Sequence, residues 1–168
     1  GEPLLQPDFV AEVFRLCRVE GIHTVLDTAG YCKPEALLKV LPYTDHVLFA
    51  LKAAGNQLHR RLTLASTNEE ILRNLRYIAS RKPVTLRHVV IPGYTDDEAE
   101  ITSLIRLLSS LDCVDLQVDV LGYHVLGVYK WAELGMDYTL EGVPAASKAD
   151  VLRVREMLKQ AGIKLAYE

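Results

Sequence analysis

Close cysteine pairs are missing from this chain: among its 168 residues only Cys17, Cys32 and Cys113 are cysteine, and they lie far apart. That spacing excludes a zinc or iron–sulfur site built from neighbouring Cys-x-x-Cys ligands and leaves each thiol as a small apolar residue. No apolar run approaches the roughly 18 residues a membrane helix needs. The start Gly1-Glu2-Pro3 has neither the basic nor the apolar region of a signal peptide, so no membrane partner and a cytoplasmic location are expected. Strong charge of one sign is absent too. With a net charge of -3 and basic residues interspersed with acidic ones, a nucleic-acid partner is excluded. His23, His46, His59 and His88 have no metal-ligand spacing, and neither a phosphate-cradling glycine loop nor a serine-histidine-aspartate triad is found.

What is present is enough for a buried core: 49% of the residues are hydrophobic and 24% charged, which suits a single domain over 1–168. Phe9, Val10, Val13, Phe14 and Cys17 recur at helical spacing, predicting a helix from about Pro7 to Glu20 that Gly21 ends. His23 to Leu26 is a short β-branched strand closed by the turn signal Asp27-Thr28-Ala29-Gly30. Then come a helix over Glu35 to Val40, a strand over His46 to Leu51 and a polar loop through Gly55 and Asn56. Thr67 and Glu70 form a capping box for a helix bearing Ile71, Leu72, Leu75 and Ile78. Val84 to Ile91 is an apolar strand, and Thr95 with Glu98 caps a helix carrying Ile101, Leu104, Ile105 and Leu108. Leu116 to Leu121 is the next strand. A glycine-containing loop leads to a helix over about Ser147 to Ala161 and a closing strand Ile163 to Tyr167.

Strands alternating with helices predict a parallel α/β sheet, as a barrel or as an open doubly wound sheet. Binding groups of such folds collect at the C-terminal strand ends. That rule selects Asp27 and Thr28, Lys52, Arg87 within the third strand, and His124 after the fourth. A carboxylate, a hydroxyl, an ammonium, a guanidinium and an imidazole together suit a zwitterionic ligand. Arg87 and His88 point to opposite faces of one strand, so at most one faces the site. Asp96-Asp97-Glu98 is the negative start of a helix, complementing its dipole. The first strand, His23 to Leu26, has no obvious neighbour on its outer side and should be an open edge prone to self-association.

Several ordered motifs then point to a family. Gly1-Glu2-Pro3-Leu4-Leu5-Gln6, Gly21-Ile22-His23-Thr24, Leu26-Asp27-Thr28-Ala29-Gly30, Arg87 to Asp97, Leu121-Gly122-Tyr123-His124, Gly127 and Lys130-Trp131 occur in sequence. Their order resembles the glycyl-radical-enzyme activases, the pyruvate formate-lyase-activating family of the radical S-adenosylmethionine (SAM) superfamily. The resemblance implies an incomplete parallel (β/α)6 partial barrel, SAM bound against a four-iron four-sulfur (4Fe–4S) cluster, and an oxidoreductase that makes a glycyl radical on a partner such as pyruvate formate-lyase. It places Glu2 at the methionine amine and Asp27, Lys52, Arg87 and His124 around SAM, and matches Asp27 and Thr28 to ligands of a monovalent cation. It implies no catalytic residue within this chain.

Two departures qualify what is expected. The family's Cys-x-x-x-Cys-x-x-Cys loop is absent along with the first strand and most of the second, so the chain corresponds to the C-terminal portion of an activase and by itself lacks the cluster's ligands. Ala50, in Phe49-Ala50-Leu51-Lys52, replaces a carboxylate expected to hold the cation. The leading expectation is a portion of an activase that is inactive alone. The alternative is a truncated or split non-catalytic homologue acting as a binding module, and a third reading, independent of family, uses Asp27 and His124 for acid–base chemistry.

Overall fold

The computed structural model describes residues 1–63 and 65–167. A short 3-10 turn over Pro3–Leu5 leads into α1 (Pro7–Val19), and the chain then runs β1 (Val25–Thr28), α2 (Pro34–Val40), β2 (His46–Ala50), α3 (Asn56–Thr63) and α4 (Glu69–Ala79). It continues with β3 (Val84–Val90), α5 (Glu98–Ser109), β4 (Leu116–Gly122), α6 (Tyr129–Glu133) and α7 (Lys148–Gln160). The four strands form one parallel sheet in the order β1-β2-β3-β4. A parallel sheet in strict sequence order has right-handed crossovers that all lie on one face. The order never reverses, as it must in a doubly wound sheet, so the α/β fold is the partial barrel.

The two faces of the sheet differ accordingly. Leu26, Val47, Phe49, Leu86, Val90, Val118 and Val120 are buried against Leu37 and Val40 of α2, Leu75 and Ile78 of α4, Ile101 and Leu104 of α5, and Val154 and Leu158 of α7. Alternation along the strands turns Asp27, Leu48, Ala50, Thr85, Arg87, Gln117 and Asp119 the other way, and register partners Asp27↔Leu48, Ala50↔Arg87 and Arg87↔Asp119 align them in rows. This second face is polar: Thr85 Oγ1 accepts from Gln117 Nε2 at 3.0 Å and bonds His46 Nε2 at 2.9 Å. Parallel sheets are normally buried on both faces; here one is the concave wall of an incomplete barrel.

Several local expectations are corrected. The first strand lies two residues later than expected, because Thr24 is held outside the ladder by Tyr43 and Asp45, and Asp27 therefore stands inside β1, not in the turn. The closing strand reduces to one parallel bridge, Val118↔Leu165, with Val118 N donating to Lys164 O and Ala166 N to Val118 O. The residue before α4 is Asn68, whose amide is drawn to the carbonyls of Ala53 and Ala54, so Thr67 and Glu70 form no capping box. Asp97, not Thr95, caps α5, its side chain accepting from Ala99 N at 2.7 Å. Thr95 is buried, donating to Val89 O and accepting from Ile91 N. Helices α3 and α6 fall in stretches expected to be loops.

Candidate functional site

Three parallel strands end on one side of a cleft of about 620 Å³, lined by Glu2, Asp27, Thr28, Ala50, Lys52 and Arg87. Phe9, Val10, Val13 and Phe14 of α1, which the apolar spacing marked only as one face of a helix, supply an apolar wall. Each polar group arrives by a local cause. Asp27 and Arg87 project from neighbouring rows of the concave face and form an ion pair across the intervening β2, where the small Ala50 side chain leaves room. Lys52 follows β2 by two residues, is exposed, and forms no ion pair among the described residues.

Glu2 is fixed by the chain's start folding back over β1. Its Oε1 accepts from Leu4 N (3.1 Å) and Thr28 Oγ1 (2.7 Å), and its Oε2 from Ala29 N (2.9 Å). Thr28 Oγ1 accepts in turn from Gly30 N at 2.9 Å. Gly30 has φ +73°, and a Cβ there would stand 2.4 Å from the Phe49 ring, so the turn after β1 needs glycine on both counts. The arrangement leaves one polar atom unsatisfied: Arg87 Nε is buried without a hydrogen-bond partner among the described residues, a donor at the cleft wall for which a ligand oxygen is the natural acceptor.

The structure thus brings Glu2, Asp27, Thr28, Lys52 and Arg87 to one cleft, while His124, exposed just beyond β4 at the same end of the sheet, is not among its lining residues. Asp27 and Thr28 leave β1 on opposite faces, and the Thr28 hydroxyl is committed to Glu2 and Gly30. No group of three His, Cys, Asp or Glu side chains placed to hold a metal occurs among the described residues. His88 is buried on the helix-covered face, bonded to Thr95 O at 3.1 Å, and burial pushes its imidazole down to about 4.

The sequence profile described as the Radical SAM superfamily matches residues 1–105. The chain is 39% identical over 171 residues to the pyruvate formate-lyase-activating enzyme of Listeria monocytogenes, a match covering 98% of this chain and 68% of that protein. This chain belongs to the radical SAM superfamily, in the pyruvate formate-lyase-activating family. The pyruvate formate-lyase 1-activating enzyme of Escherichia coli K12 is 35% identical over 170 residues, with 99% and 68% covered. A crystal structure of a domain of the pyruvate-formate lyase-activating enzyme from Bacteroides vulgatus superposes with a TM-score of 0.80 at 26% identity, covering 99% of this chain and 93% of that one.

Membership of the radical SAM superfamily implies SAM and a 4Fe–4S cluster, and the residues present fit the two unequally. The cleft offers carboxylates, an ammonium, an unsatisfied guanidinium Nε and an apolar wall, which suit a ligand joining an amino-acid end to an apolar body. The thiols do not suit a cluster. Cys17 is on α1, Cys32 is buried in the loop after β1 with burial raising its thiol to about 11, and exposed Cys113 precedes β4 at the opposite end of the sheet. These three cannot converge on one set of irons.

Proposed function

We propose that this chain is the SAM-binding and partner-facing portion of an activase that generates a glycyl radical on an enzyme of the pyruvate formate-lyase kind. The observation that carries the reading is the single cleft where Glu2, Asp27, Lys52 and Arg87 meet. Lys52 and the Arg87 Nε receive the carboxylate end of the ligand, Asp27 and Glu2 face its ammonium, and the α1 wall excludes water from its apolar body. His124 stands at the rim of the same sheet end and closes on the ligand from outside the cleft. In this family SAM, when bound, supplies the carbon radical that takes a hydrogen atom from the partner's glycine.

Chemistry on SAM requires a reduced cluster, and with Cys17, Cys32 and Cys113 apart the described residues bind without cleaving. The same separation favours a second reading, a homologue that docks its partner without redox chemistry. A monovalent cation at Asp27 would depend on backbone carbonyls such as that of Thr28, since the hydroxyl is engaged and Ala50 contributes no side-chain oxygen. A single domain, a cytoplasmic setting and self-association along the free β1 edge complete the proposal; no helix of the described residues is long and apolar enough to cross a membrane.

Calorimetric titration with SAM tests the reading. Weak binding that is lost in Arg87→Ala and reduced about tenfold in Asp27→Asn is expected, the magnitude being that of one charge-assisted hydrogen bond. Binding indifferent to both substitutions would place SAM elsewhere, and no heat at millimolar SAM would sink the reading.

A further inference from the structure

Lys52 reaches the cleft from a stretch of backbone that is gripped from behind. After Lys52 the chain runs Ala53-Ala54-Gly55 into α3, and Glu100, in the first turn of α5 and only 7% exposed, points its carboxylate at this stretch. Its Oε1 accepts from Ala54 N, and its Oε2 from Gly55 N at 3.0 Å. A methyl group at Gly55 would stand 2.8 Å from Oε2, so any larger residue there would press the carboxylate out of place. From the residue that caps α4, Asn68 Nδ2 donates to Ala54 O at 2.9 Å and to Ala53 O at 3.3 Å, while Asn68 N donates to Asn56 Oδ1 at 3.1 Å. Two helices therefore hold the amides and carbonyls of the same three residues, and neither clamp touches the cleft.

We propose that Glu100, assisted by Asn68, is a positioning residue that fixes the backbone from which Lys52 meets the ligand. The inference rests on reading the cleft as the SAM site. A lysine ammonium sits on a flexible four-carbon stem, so its placement depends on its Cα, and two charge-assisted bonds to consecutive amides hold that segment more firmly than neutral bonds would. Burial of a carboxylate for a surface loop is costly unless its hydrogen bonds are all made; Glu100 makes them with the segment carrying Lys52 and with nothing else among the described residues. Burial raises its carboxyl, the two amides oppose that, and Asp97 adds to the rise. The other titratable side chains lining the adjoining groove are Arg61 of α3 and Tyr94 of the turn after β3.

Glu100→Gln keeps the shape and presents an N–H to one of the amides. The expected result is about tenfold weaker SAM binding by calorimetry and severalfold faster acylation of Lys52, read by mass spectrometry on the ligand-free protein. SAM affinity of the parent chain falls as the pH drops through the raised carboxyl range, and the variant lacks that component. Gly55→Ala, which presses on Oε2 without altering Glu100, reproduces both effects if Glu100→Gln fails to fold. Parent-like affinity, pH profile and Lys52 labelling in a folded Glu100→Gln protein would overturn the inference. Should the parent not bind SAM at all, the site reading fails, while the labelling rate still decides whether Glu100 places Lys52.

Discussion

His88 shows how a single buried side chain sets a pH limit on the whole chain. Its ring lies under the helices, its Nε2–H donates to Thr95 O, and burial holds its imidazole at about 4 against an ordinary 6.5. The unfolded chain therefore binds this proton first as the pH falls, and stability is lost between about 6.5 and 4, with nothing further from this group below that. The loss amounts to roughly 3 kcal/mol at the lower end. Urea unfolding at pH 7 and pH 4 checks it: His88→Gln is expected to show a smaller drop than the parent, and identical drops would remove the assignment. Alternation along the third strand was enough to put Arg87 and His88 on opposite faces from sequence. Glu100 escaped the same kind of reasoning, although it falls with Leu104 and Leu107 at the i, i+4, i+7 positions of one buried helix face. A charged residue within an apolar stripe is a legible signal, but its partners, two backbone amides from residues far earlier in the chain, are not.

At the scale of elements, strong periodicity was read correctly and weak periodicity was not. The strands at 46–50, 84–90 and 116–122 and the helices α1, α4, α5 and α7 match their apolar spacing to within two or three residues. Helix α3, Asn-Gln-Leu-His-Arg-Arg-Leu-Thr, has only two leucines to mark a face, and its start is set by Glu100 and Asn68 from other elements. The closing strand failed because Ile163 to Tyr167 touches β4 at one position only. The two caps expected from sequence, Thr67 with Glu70 and Thr95 with Glu98, do not form, while the capping box that does form was not anticipated. Ser147 and Asp150 form the reciprocal capping box of α7, with Ser147 Oγ accepting from Asp150 N at 3.2 Å and Asp150 accepting from Ser147 N at 2.8 Å. Ser147→Ala is expected to cost about 1 kcal/mol, measured as a shift of the urea midpoint with unchanged slope; no shift would mean that the α7 contacts of Val154 and Leu158 alone hold the helix start.

For the molecule as a whole, the sequence-ordered sheet decides what is open. Four parallel strands form part of a barrel wall, so the site's strand tips were legible from connectivity, while the absence of His124 from the cleft depends on curvature that no residue pattern reveals. The same geometry leaves β1 at the sheet's edge, paired to β2 only. Glu2 caps its tip through Ala29 N, and no backbone hydrogen bond joins residues 1–6 to Val25, Leu26 or Asp27 among the described residues. Beside this edge, Phe9, Val13 and Leu16 make an exposed stripe along α1, and Ile22 and Val25 extend it, with Phe9 67% exposed. An unpaired edge flanked by apolar side chains invites another strand. A second copy of β1 is a matched occupant, because two identical edges related by a twofold axis present donors to acceptors and apolar stripe to apolar stripe. Sedimentation across a hundredfold concentration range is therefore expected to show a monomer–dimer equilibrium for this chain. Val25→Lys puts a charge on the edge itself, where lysine opposes strand pairing, and is expected to shift the equilibrium to monomer without lowering the unfolding temperature, since Val25 is 41% exposed. A strict monomer at every concentration would show that the fold tolerates a bare edge, and a dimer that survives both Val25→Lys and Val13→Glu would place the interface elsewhere.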